Sequence, residues 1–261
     1  MAKFYPLFSS SSGNASYIGS RNAGILVDAG ASCKKLVNAL ETNGLQKECV
    51  KGIFITHTHS DHTKGLRVLA GKLKVPVYGT EDTLKVLEHD GQIPAGVETV
   101  SVETGAIECG GCEVLAFPTM HDAPGSCGYR IHTEDDKFCA VCTDLGVVTP
   151  AVRNAVTGCD MVLLEANYDM EMLRRGPYPP ELKRRILSEY GHLSNNDSAS
   201  FAAELVQNGT TRLLLGHLSP HNNTQQLAAQ AVLDGLRNFT QGMDYLLGIA
   251  PVETQGGAVI F

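Results

Sequence analysis

The sequence predicts an α+β protein built as a four-layer αββα sandwich, with two sheets face to face and helices on their outer sides. Two patterns predict it. Short apolar runs bounded by Gly, Asn, Asp or Pro gather twice along the chain, and each gathering gives way to stretches whose apolar residues recur at helical spacing. With 261 residues, 43% of them hydrophobic and 19% charged, the chain is long enough to bury a large core. Its 27 glycines and 11 prolines are scattered rather than collected into a linker, so residues 1–261 are expected to form a single domain.

Phe4 to Phe8, Ala15 to Ile18 and Gly24 to Asp28 read as antiparallel strands. A helix over Ser32 to Thr42 follows, then a strand ending at Thr56, then a helix from His62 on which Leu66, Leu69, Ala70 and Leu73 share a face. Pro76 to Tyr78 makes another strand. His89 fits the end of a helix, where the dipole favours a cation. From Val97 the pattern returns to strands, clearest at Val114 to Phe117, Cys127 to His132 and Phe138 to Cys142, separated by Gly, Asp and Pro turns. The second half continues with a strand at Met161 to Leu164, helices near Pro180 to Glu189 and Ala199 to Gln207, and a strand at Arg212 to Leu215. The last helix carries the stripe Ala228, Val232, Leu236 and Phe239, with Asn222 or Asn223 as its cap.

No apolar run reaches 18 residues and the first twenty residues lack a continuous hydrophobic stretch, so no membrane association and a cytoplasmic location are expected. Eight cysteines in a chain of this kind are expected to be reduced thiols. A net charge of -7 argues against a broad basic surface for nucleic acid. One local exception is the group Arg174, Arg175, Lys183, Arg184 and Arg185 around the turn Gly176-Pro177-Tyr178-Pro179-Pro180, which is either a phosphate-binding patch or a solvated helix face.

The chemistry concentrates after the apolar run Gly52 to Ile55. His57-Thr58-His59-Ser60-Asp61-His62 puts three imidazoles and a carboxylate within six residues. Those donors suit zinc, iron or manganese, and residues two apart on an extended loop point at one centre. His57 and His59 fit one metal, and Asp61 and His62 fit a second beside it. Further candidates close later apolar runs: Asp28 after Ile25-Leu26-Val27, His121 after Val114 to Phe117, Asp144 after Ala140-Val141-Cys142-Thr143, and His217 after Leu213-Leu214-Leu215-Gly216. Asp28 suits the acceptor of a ligand histidine N–H. Taken singly, an acid or histidine at such a place is most often a turn former or cap.

Their order is more specific. An apolar run ending in Asp, then His-x-His-x-Asp-His, His, Asp and His, resembles the ligand series of the metallo-β-lactamase superfamily, from Phe4 to about Ile249. The resemblance implies the metallo-β-lactamase fold, with His57, His59 and His121 on one divalent metal, Asp61, His62 and His217 on another, and Asp144 between them. The segments Ser11-Ser12-Gly13-Asn14, His121-Asp122-Ala123, Thr143-Asp144-Leu145-Gly146, Glu165-Ala166-Asn167-Tyr168-Asp169, Leu182-Lys183-Arg184-Arg185-Ile186 and Gly191-His192-Leu193-Ser194-Asn195 resemble the WalJ (YycJ) branch. That branch is similar to the phosphodiesterase PhnP and to tRNase Z, and its members are regarded as 5′-to-3′ DNA exonucleases. Ser10 stands where the branch usually has Gly and Tyr168 where it usually has His, so no metal role passes to Tyr168.

From its position alone His192 reads as a helix-entry residue. The resemblance implies instead a catalytic histidine, which with Asp61 makes up the expected catalytic pair. The implied reaction is hydrolysis of nucleic-acid phosphodiesters, DNA above RNA, by a hydroxide bridging two metals, with His192 protonating the departing alkoxide. Ser11, Ser12 and Asn14 are expected to meet a terminal phosphate, and Lys183 and Arg184 the backbone. An alternative is a small-molecule hydrolase of the same fold acting on a cyclic phosphodiester or a thioester. A more remote one is a non-catalytic zinc-binding module using Cys109, Cys112, Cys139 and Cys142, although residues three apart on a strand face opposite sides. His221 lies close enough in sequence to His217 to touch substrate, and Glu165 is given no role beyond a structural one.

Overall fold

The strand at the start of the chain is buried along almost its whole length, as expected of a sheet covered on both faces. The computed structural model describes residues 2–261 and divides the chain into two compact units. The first comprises residues 2–116, 123–137 and 251–260, and the second residues 117–122, 138–250 and 261.

In the first unit Lys3–Ser10 (β1) and Gly13–Gly19 (β2) pair antiparallel around the turn at Ser11 and Ser12, and Gly24–Val27 (β3) adds antiparallel to β2. Helix Cys33–Thr42 (α1) starts at Ser32, whose hydroxyl accepts from the Lys35 N–H. A single 3₁₀ turn over Lys47–Cys49 leads into Val50–Phe54 (β4), which is parallel to β3. The strand stops short of Thr56, contrary to the sequence expectation, because the Thr56 N–H bonds the Asp28 carboxylate at 2.9 Å instead of continuing the ladder.

The helix expected from His62 is two pieces, Ser60–Thr63 (α2) and Leu66–Leu73 (α3). The break has a tertiary cause: the Gly65 N–H donates to the Ala29 carbonyl at 2.8 Å, which takes it out of a continuous helical ladder. Val77–Gly79 (β5), helix Glu81–His89 (α4) and Thr99–Ser101 (β6) complete a mixed six-stranded sheet in the order β1 to β6. Ile107–Cys109 (β7) and Cys112–Pro118 (β8) form a hairpin, and Cys127–Thr133 (β9) follows. Leu7, Leu26, Leu36, Ile53, Leu66 and Leu69 anchor the core of this unit.

The second unit is built on parallel strands. Lys137–Cys142 (β10) is followed by helix Pro150–Val156 (α5), then Met161–Glu165 (β11), helices Met170–Arg175 (α6), Pro180–Ile186 (α7) and Asn195–Gln207 (α8), Arg212–Gly216 (β12), helix Gln225–Gly235 (α9) and Leu246–Ile249 (β13). β10 to β13 lie side by side in that order, all parallel, so their C-terminal ends share one edge. Helix α8 starts four residues before the expected Ala199, with Ser194 capping the Asp197 N–H at 3.1 Å. His192 therefore lies in the loop ahead of the helix rather than at its start. Helix α9 is capped by Thr224, not by Asn222 or Asn223. Asn223 is otherwise engaged: its amide bonds the Ala166 carbonyl and exchanges hydrogen bonds with Asn195. Among the described residues no helix is long and apolar enough to cross a membrane.

Gly30 follows the β3 turn where no side chain fits, since a Cβ there would collide with the Asp61 carbonyl and the Asn14 backbone nitrogen. Gly30→Ala is expected to cost about 1–3 kcal/mol or more, the range for overpacking, because rigid backbone must move. A chemical denaturation midpoint equal to that of the unsubstituted protein would contradict this.

Candidate metal centre

Three of the five non-glycine residues with left-handed backbone among the described residues are Asp28 (φ 62°), Asp144 (φ 61°) and His217 (φ 55°), each just beyond the end of β3, β10 or β12. Asp and His tolerate this region better than most residues, and such strain of about 1–3 kcal/mol each is typically held where side chains must be aimed. Strand ends thus present these groups instead of continuing the sheet.

In the first unit the ring of His57 lies 4.6 Å from that of His59 and 4.1 Å from that of His62, centroid to centroid. The Asp28 Oδ2 accepts the His62 Nδ1–H at 2.8 Å, leaving a lone pair on Nε2. The Thr56 hydroxyl donates to Asp28 and lies 3.0 Å from His57 Nδ1, so one carboxylate and one hydroxyl orient two imidazoles. Burial is the main influence on Asp28, raising its pKa, with the His62 imidazole pulling the other way. The Asn14 amide lies 3.0 Å from His62 Nε2 and 3.2 Å from Asp61 Oδ2, and also donates to the Ser10 carbonyl at 2.9 Å. Asp61 keeps 21% of its side chain exposed while His62 keeps none, so it is the member that reaches solvent.

In the second unit His121 donates Nδ1–H to the Gly191 carbonyl at 3.0 Å, and its Nε2 faces Asp122 Oδ1 at 3.4 Å and Asp144 Oδ1 at 3.7 Å. Burial lowers the His121 pKa, outweighing Asp144, and favours the neutral imidazole that a metal requires. Asp144, Glu165, His192 and His217 each bring a ligand atom within 4.8 Å of the others. At the centre of this group is Glu165. Its Oε1 lies 2.8 Å from both His192 Nδ1 and His217 Nδ1, and its Oε2 accepts from the Leu145 and Leu193 N–H groups at 3.1 and 3.2 Å. Burial alone would raise the Glu165 pKa, but the His192 imidazole, followed by that of His217, holds it well below the ordinary carboxylate range.

Sequence reasoning gave Glu165 no role, yet the signal was there. It closes the apolar run Met161 to Leu164 as Asp144 and His217 close theirs, and parallel pairing sets it opposite Gly216, next to His217. Asn167 was missed as well; its amide donates to the His217 carbonyl at 2.8 Å. The donor chemistry of both units fits a divalent metal: Nδ1 of His62, His121 and His217 is committed to an oxygen acceptor, which fixes the tautomer whose Nε2 can ligate. Among the described residues none of the side-chain groups suited to a metal contains a cysteine, and Cys139 and Cys142 are fully buried in β10.

The remaining candidates divide. Ser11 and Ser12 are exposed at the β1–β2 turn, whereas Asn14 is buried and engaged by Asp61 and His62. Lys183 donates to the carbonyls of Arg174 and Gly176 and so ties down the end of α6. Arg174 and Arg175 pair with Glu171, and Arg185 pairs with Asp122. Arg184 is exposed on α7. Tyr168 is buried against Leu173 and Ile186 as a core residue, with its pKa pushed up to about 12, chiefly by burial. The exposed His221 packs edge-on to Tyr178 at 5.7 Å.

The chain is similar to known proteins. The beta-lactamase superfamily domain matches residues 24–218. The metallo-β-lactamase fold protein YhfI of Bacillus subtilis superposes with a TM-score of 0.74 over 97% of each chain at 16% identity, which shows that the α+β sandwich is the metallo-β-lactamase fold. Exodeoxyribonuclease YycJ of Bacillus anthracis is 39% identical over 230 residues, covering 88% of this chain and 87% of its own. Exodeoxyribonuclease WalJ of Streptococcus pneumoniae serotype 2 (strain D39 / NCTC 7466) is 36% identical over 244 residues, covering 92% and 90%. The chain belongs to the YycJ/WalJ family of the beta-lactamase superfamily.

Proposed function

We propose that this chain is a divalent-metal-dependent exodeoxyribonuclease that cleaves DNA phosphodiesters from the 5′ end, acting in the cytoplasm. The observation that carries the phosphodiester reading is the fork at Glu165, a buried carboxylate within 2.8 Å of Nδ1 on both His192 and His217. His192 is the exposed member of that cluster, with 18% of its side chain open against 2% for His217 and none for Glu165. A carboxylate against Nδ1 of an accessible imidazole fixes the orientation of the ring and directs its Nε2 to proton exchange with a leaving group. A departing alkoxide, whose conjugate acid has a pKa near that of water at ~15.7, needs such a proton far more than a thiolate, whose thiol has a pKa of ~8.5. The exodeoxyribonuclease names of the two relatives favour DNA as the phosphodiester.

In this reading His57, His59 and His121 would hold one ion and Asp61, His62 and His217 the other, with Asp144 contributing a further carboxylate. When bound, such ions (zinc, manganese or iron) would supply an activated water and charge neutralisation at the phosphoryl group. The protein's own groups do the rest. Asp61 orients the attacking water, His192 gives its Nε2 proton to the leaving oxygen, and Glu165 holds His192 in line while fixing the tautomer of His217. Asp28 does the same for His62.

Salt dependence separates DNA from a compact substrate. Turnover of DNA at limiting concentration is expected to fall steeply as salt rises, because bound counterions are released, while a small diester responds weakly. Arg184→Ala is expected to reduce the slope of log(kcat/KM) against log salt by about one, as for loss of a single phosphate contact. A flat salt response on DNA would remove backbone binding from the account and favour a small substrate.

A further inference from the structure

Beside the β1–β2 turn lies a cavity of about 240 Å³ whose polar lining is Ser10, Ser12, Ser32, Lys35, Lys64 and Glu253. We propose that this cavity binds the terminal 5′-phosphate of a nucleic-acid strand. The proposal rests on the exonuclease reading for its substrate, but its geometry is independent of the metal ligands.

The polar part of the lining suits an anion, while Phe8, Ala31 and Val252 complete the wall. Two ammonium groups face one carboxylate, which leaves a local excess of one positive charge on a protein whose overall charge is -7. Lys35 is already paired with Glu253 at 2.7 Å, an exposed contact that an incoming anion can share or displace. Lys64 is exposed and contributes the second ammonium, and three serine hydroxyls add donors that can turn towards oxygen. Ser10 is buried and held to Ser12 by a hydroxyl contact of 2.9 Å, so this edge is fixed in place. The volume is below the ~300 Å³ at which pockets for whole small molecules begin, which suits a phosphate group better than a nucleobase. A phosphomonoester dianion, with three terminal oxygens, can use both cations and the hydroxyls together. A backbone diester carries one charge and must leave the cavity on both sides.

The position of the cavity gives the occupant a purpose. Ser10 lines it, and the amide that donates to the Ser10 carbonyl, that of Asn14, also contacts Asp61 Oδ2 and His62 Nε2. One side chain therefore separates the cavity from two candidate metal ligands. A strand end anchored here would place its next phosphodiester beside Asp61 and His62, which makes the 5′ end the point of entry and sets polarity.

The test is binding by the metal-loaded protein, read by fluorescence anisotropy. The probes are otherwise identical DNA oligonucleotides with uncleavable phosphorothioate linkages, ending in 5′-phosphate, 5′-hydroxyl or 3′-phosphate. The 5′-phosphorylated strand is expected to bind about 10-fold or more tightly than the other two, as for a charge-assisted set of hydrogen bonds. Lys64→Ala should collapse that advantage and Lys64→Arg should keep most of it, with unchanged melting temperatures showing that both fold. Equal affinity for the three ends, or a preference that survives Lys64→Ala, would overturn the proposal. The exonuclease reading is judged separately, by release of nucleotide from a cleavable strand, so either idea can fail alone.

Discussion

Asp144→Asn is expected to empty the metal centre and lower DNA hydrolysis by about 10³-fold or more, the rate equivalent of the several kcal/mol that Lewis-acid metals supply. Asn is the informative substitution because it tolerates the left-handed backbone at position 144, where φ is 61°, and removes only the charge and one ligand oxygen. Asp144→Ala should lose the metal as fully and some stability besides. Metal content by elemental analysis checks the point. A folded Asp144→Asn protein that retains both its metal and its activity would remove Asp144 from the ligand set.

His192→Ala is expected to lower kcat on DNA by about 10²–10⁴-fold, the usual range for loss of a positioned general acid, with metal content unchanged. The leaving group provides the sharper readout. A diester that expels p-nitrophenolate needs little protonation, so its turnover should fall much less than that of DNA. Equal losses on both substrates would mean that His192 binds metal or shapes the site instead of donating a proton. Glu165→Gln should combine two effects, because Glu165 faces both His192 and His217. It is expected to weaken metal affinity by about 10–100-fold, as loss of an orienting partner does, and also to lower kcat at saturating metal.

The sequence carried the strands and the His57 to His62 loop well, because each depends on local pattern. Apolar runs that become β3, β10 and β12 end on Asp28, Asp144 and His217 or within two residues of them, and an acid or imidazole is poorly suited to continuing a buried strand. Long-range partners were harder to see. Glu165 follows the same rule as Asp144, but its importance arises from parallel pairing with β12 and from the loop bearing His192, neither of which is written in the residues around it. The division of α2 from α3 depends on a hydrogen bond from Gly65 to Ala29, and the cap of α9 on Asn223 being engaged by Ala166 and Asn195. The basic cluster looked uniform in sequence. In the structure Lys183 holds a helix end and Arg174, Arg175 and Arg185 meet acids, so five similar charges have different roles.

The most direct measurement is a metal-by-substrate panel. Purified protein is stripped of metal, reloaded separately with zinc, manganese or iron, and assayed on 5′-phosphorylated DNA, RNA, a generic phosphodiester and a thioester. The account predicts no activity in the stripped protein, restoration by at least one metal, and DNA as the substrate with the highest kcat/KM. Turnover of the thioester alone, or DNA hydrolysis that persists in the stripped protein, would contradict it.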